Sequence, residues 1–65
     1  MTEEQKKTET VAFMLESLNE ENRALCLQNG MAADEVERNI EQSQPSLNFI
    51  LSNIYDKMKA ALLLA

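Results

Sequence analysis

Apolar positions recur at helical spacing along most of this chain. Val11, Met14, Leu15 and Leu18 follow the i, i+3, i+4, i+7 template. Ahead of them Thr2 stands three residues before Gln5, a capping-box spacing, and Glu3 and Glu4 suit a first turn. Residues 1–8 carry no apolar side chain beyond Met1 and are expected to fray. Ser17-Leu18-Asn19-Glu20 repeats the capping pattern and predicts a second, short helix over residues 20–28. One bent helix through Asn19 is the alternative, because Val11, Leu18 and Leu25 keep a heptad spacing. Asn29-Gly30 ends this region, with Gly30 suited to a left-handed C-terminal cap.

Residues 32–42 predict a third helix with a narrow stripe of Ala33, Val36 and Ile40, and Asp34 four residues before Arg38. Ser43-Gln44-Pro45-Ser46 breaks the pattern, and Pro45 fits the first turn of a following helix. That last helix, residues 45–63, is the strongest element, with Leu47, Ile50, Leu51, Ile54, Met58, Ala61 and Leu62 on one face. The expected fold is all-α: three to four short helices in one small orthogonal or bundle-like domain over residues 1–65, the C-terminal helix the longest.

Two aromatic side chains break this order. Phe13 and Phe49 lie roughly 150° and 170° from the apolar stripes of their helices at about 100° per residue. They are the only Phe residues in the chain. Both off the main face, they suggest a second buried surface and make the candidate interface. Leu63 and Leu64 join them, because the run from Ala60 to Ala65 is apolar all round. That run also resembles the short Ala/Leu ends of bacterial degradation tags, although packing is its simpler role.

Composition narrows the function. The 65 residues include 11 acids, 6 bases, no His and one Cys. Ser-His and Cys-His catalysis and an internal disulfide are thereby excluded, and zinc has no ordinary ligand set. No cofactor, metal or catalytic residue is expected. Glu37 and Glu41 share a helix face with no third group to make them a site, so they read as solvated, and Cys26 reads as a small core residue. Residues 1–42 carry ten acids and four bases, a balance of −6.

Residues 21–42 have a helix-turn-helix rhythm, with Gly30 in the turn and Leu25, Met31 and Val36 at buried positions. Its second helix carries four carboxylates and one Arg, a poor surface for DNA. The same stretch resembles a ubiquitin-associated-type three-helix module in outline. That family has a Met-Gly-aromatic loop, whereas the order here is Gly30-Met31 with no aromatic.

With a core this small, a partner chain is the natural support. The expected protein is not an enzyme. It is a small acidic interaction protein, a regulator, adaptor or inhibitor of a larger and perhaps basic protein, of a kind frequent among bacterial and phage accessory factors. It is expected to form a homodimer in the cytoplasm, with no membrane segment or signal peptide and no nucleic-acid partner. A helix-turn-helix DNA-binding regulator and an acidic decoy of a nucleic-acid-binding protein are the alternatives.

Overall fold

The computed structural model describes residues 2–64, with side chains through residue 62. Two helices, α1 (Glu3–Gln28) and α2 (Ala33–Leu64), form an antiparallel hairpin. The fold is all-α, but with two long helices rather than three or four short ones.

The start of α1 is a complete capping box. The Thr2 hydroxyl accepts from the Gln5 backbone N–H at 3.1 Å, and the Gln5 side chain accepts from the Thr2 N–H at 2.9 Å. The segment expected to fray is therefore helical from Glu3, and two cross-hairpin ion pairs hold it, Lys59 to Glu3 and Lys7 to Asp56. The second capping signal, at residues 17–20, starts no helix. Asn19 lies inside α1 and turns its side chain to Gln44 of α2 instead of capping a backbone N–H.

The end of α1 is a Schellman motif. Met31 N–H donates to the Cys26 carbonyl at 3.0 Å and Gly30 N–H to the Leu27 carbonyl at 3.1 Å. Gly30 has φ of +90°, the left-handed region a residue without Cβ enters freely.

The expected break at residues 43–46 is absent, because α2 runs through Pro45. The Ser43 hydroxyl and the Gln44 amide both donate to the Ile40 carbonyl, at 2.9 and 2.8 Å, and not to the Glu41 carbonyl that Pro45 cannot serve. Pro45 itself is exposed, so the carbonyl it leaves without a donor lies on the solvent side. Packing supplies the rest of the explanation. Val36 and Ile40 before the proline, and Leu47 and Leu51 after it, keep one stripe toward α1, and breaking the helix would break that stripe.

The hairpin hides little. Among the described residues only Val11, Val36 and Ile40 are buried apolar side chains. The radius of gyration is 14.4 Å, against about 11 Å for a compact domain of this length. The molecule measures 44 × 21 × 17 Å, a single layer of paired helices. Domains ordinarily need two layers to enclose a core.

Candidate functional site

Part of the apolar surface that α1 and α2 leave uncovered forms one extended face. On α2, Ile50, Ile54, Met58 and Leu62 stand four residues apart and all are exposed, from 41% at Ile54 to 75% at Leu62. Such an i+4 row is a ridge along the helix. The C-terminal half of that row, Met58 and Leu62, lines a groove of about 290 Å³ together with Met14 of α1 and Tyr55 of α2. Leu18, one turn beyond Met14, continues the α1 edge of the face and is also exposed. The periodicity that marks the last helix as the strongest element is real, but of the seven stripe residues only Leu47 and Leu51 are half-buried and the other five are exposed.

Charged groups line the margins. Glu3, Lys6 and Lys59 rim the open end of the groove. A hydrogen bond from Lys59, and then its charge, holds the Glu3 carboxyl below the usual carboxylate range, and the Lys59 ammonium is raised in return. Near the turn, the Arg23 guanidinium donates to both oxygens of Glu37 at 2.6 and 3.3 Å. That contact lowers Glu37 and raises Arg23. All four shifts deepen the charged forms at neutral pH, opposite to the tuning of a general acid or base. The fold also gathers charge. Residues 20–42, the turn end, hold six acids and two bases, a balance of −4.

Phe13 and Phe49 are 72% and 69% exposed. At two residues from buried Val11 and from half-buried Leu51, each ring points away from the partner helix, one on the back of α1 and one on the back of α2. They do not converge on one patch. The side chains of Leu63 and Leu64 lie outside the described residues.

Glu37 is engaged by Arg23, so the Glu37/Glu41 pair is split. Cys26 is half-buried, its Sγ 3.6 Å from Asn22 Oδ1. Tyr55 is half-buried along the groove. The helix-turn-helix stretch is the turn of the hairpin. Gly30 does occupy it, but the flanking helices lie side by side instead of crossing at 90–120°, and Leu25 is exposed. Among the described residues no three His, Cys, Asp or Glu side chains are placed to hold a metal ion. No helix among them is long and apolar enough to cross a membrane.

The signal that would have found this face was on the α2 stripe. Seven apolar residues on one helix face exceed what a single antiparallel partner helix covers. No protein-family model, curated protein or solved structure matches the chain.

Proposed function

We propose that this protein works by contact and not by catalysis, as a small acidic regulator, adaptor or inhibitor of a larger protein, self-associating in the cytoplasm. The observation that carries the reading is the disproportion between the three buried core residues and the uncovered apolar surface beside them. Contiguous exposed apolar surface of that kind marks interaction sites in stable proteins. The outward rings of Phe13 and Phe49 add separate aromatic anchors on the backs of the two helices, suited to a larger partner. The −4 balance at the turn end favours a basic surface on that partner and disfavours nucleic acid.

The test is affinity capture from source-cell lysate with wild type beside Phe13→Ser and Phe49→Ser. One partner retained near stoichiometrically by wild type, and lost by a Phe variant, is the expected result. No retained protein, together with a low-salt mobility shift of duplex DNA that salt abolishes, would replace this reading by the DNA-binding one.

A further inference from the structure

We propose that the face built from Met14 and Leu18 of α1 and Ile50, Ile54 and Met58 of α2 is covered by a second copy of this chain, the two hairpins together making a four-helix bundle. The inference rests on the contact-protein reading and gives one of its surfaces a specific occupant.

Area is the first argument. The chain exposes 5110 Å². A compact monomer of 7.4 kDa exposes about 4200 Å², so the excess is about 900 Å². A standard stable interface covers about 800 Å² on each partner. The excess, taken over the whole chain, is therefore about what one dimer interface removes.

Shape is the second. The hairpin is a single layer 17 Å thick and 21 Å wide. Helix layers stack at about 8–10 Å between axes, so a second hairpin laid on this face deepens the 17 Å section to about 25–27 Å against the 21 Å width. The two-layer arrangement that one chain lacks is then complete.

Self-complementarity is the third, and it selects a second copy over an unrelated partner. A two-fold contact needs a surface that fits itself. This face has a ridge, the i+4 row from Ile50 to Leu62, whose Met58 and Leu62 form one wall of a groove of about 290 Å³ that Met14 and Tyr55 also line. A two-fold axis between two such faces sets each ridge in the other copy's groove. No acidic side chain interrupts the ridge, so the negative charge both copies carry stays at the margins.

Sedimentation equilibrium over micromolar to near-millimolar protein tests the proposal, with thermal melting read at each concentration. Wild type should sediment as a dimer, and its melting temperature should rise with concentration. Ile54→Lys should weaken the dimer by about 100-fold or more, since the two-fold places the substitution in the contact twice. Leu27→Ser, on the back of α1, should leave it unchanged. If Ile54→Lys loses its helical circular dichroism, Met58→Lys supplies the same readout at an exposed site. A wild type that is monomeric throughout, with a concentration-independent melt, overturns the inference; capture of a larger protein by that monomer would leave the contact reading standing. A dimer that survives both Lys substitutions but is lost in Phe49→Ser also overturns it, moving the contact to the back of α2.

Discussion

Asn19 and Gln44, 25 residues apart, exchange two hydrogen bonds across the hairpin. Asn19 Nδ2 donates to Gln44 Oε1 at 3.1 Å, and Gln44 Nε2 donates to Asn19 Oδ1 at 3.0 Å. Apolar contacts alone tolerate one helix sliding a turn along the other. A reciprocal amide pair does not, because a slide leaves two half-buried amides unmatched. Gln44→Ala should therefore destabilise the protein by about 1–2 kcal/mol. Asn19→Ala should cost a similar amount, and the double variant clearly less than the sum. Urea unfolding of the four proteins at equal concentration checks this. Additive losses would show that the two side chains do not act as a pair.

Gly30 isolates a backbone effect. Its φ is +90°, and a Cβ built there meets nothing within 4 Å. Any loss in Gly30→Ala is then conformational, about 1–2 kcal/mol. Gly30→Asn should lose less, since Asn tolerates the left-handed region. Equal losses for both would mean that the turn relaxes out of that conformation.

Local signals suffice where the backbone alone decides. The Thr2–Gln5 box is set by two side chains three residues apart and the Gly30 cap by a residue without Cβ at the helix end, so both are legible from spacing. Ser17 to Glu20 and Ser43 to Pro45 carry comparable local signals, and both are overridden. In each case the deciding factor is the other helix, Gln44 as the partner of Asn19 and the α1 face toward which the residues flanking Pro45 keep their stripe. Periodicity cannot say which part of a stripe meets an internal neighbour. The α2 stripe was visible in full, but its division into a buried edge and an open ridge depends on there being only one helix to cover it. Phe13 and Phe49 were recognisable as outward-facing, since 100° per residue suffices for that.

Acid should loosen the hairpin through its ion pairs. Glu37, beside Arg23, and Glu3, beside Lys59, are held below the usual carboxylate range when folded. A lowered folded value means that the stabilisation is complete above the unfolded value and is lost as pH falls through the folded one. Arg23→Gln and Lys59→Gln should each flatten the decline of stability as pH falls through and below that range. The raised values of Arg23 and Lys59 act at the opposite end, where stabilisation present below the unfolded lysine value is lost as pH rises through the folded one. All four side chains keep 40% or more of their surface in solvent, so added salt should reduce the difference between wild type and variants. Parallel acid profiles for wild type and both variants would show that these pairs do not tie the helices in solution.

Pro45 is the sharpest conflict between local preference and the fold. A proline inside a helix costs about 3 kcal/mol relative to alanine, through a lost hydrogen bond and a clash with the carbonyl four residues back. Here that carbonyl belongs to Glu41, and the bonds from Ser43 and Gln44 go to Ile40 instead, which leaves the cost uncompensated by side chains. The ring is exposed and lies away from the stripe that meets α1, so it adds no core packing. Pro45→Ala should therefore stabilise the protein by roughly 1–3 kcal/mol, less than the full penalty because proline also restricts the unfolded chain. Each kcal/mol raises the melting temperature by about 4–8 °C in a domain of this size. The comparison is made at one protein concentration, since association also moves the melt. A loss of stability in Pro45→Ala would have a different physical meaning. It would show that a bend at Pro45 is what lets Val36 and Ile40 on one side, and Leu47 and Leu51 on the other, reach α1 together.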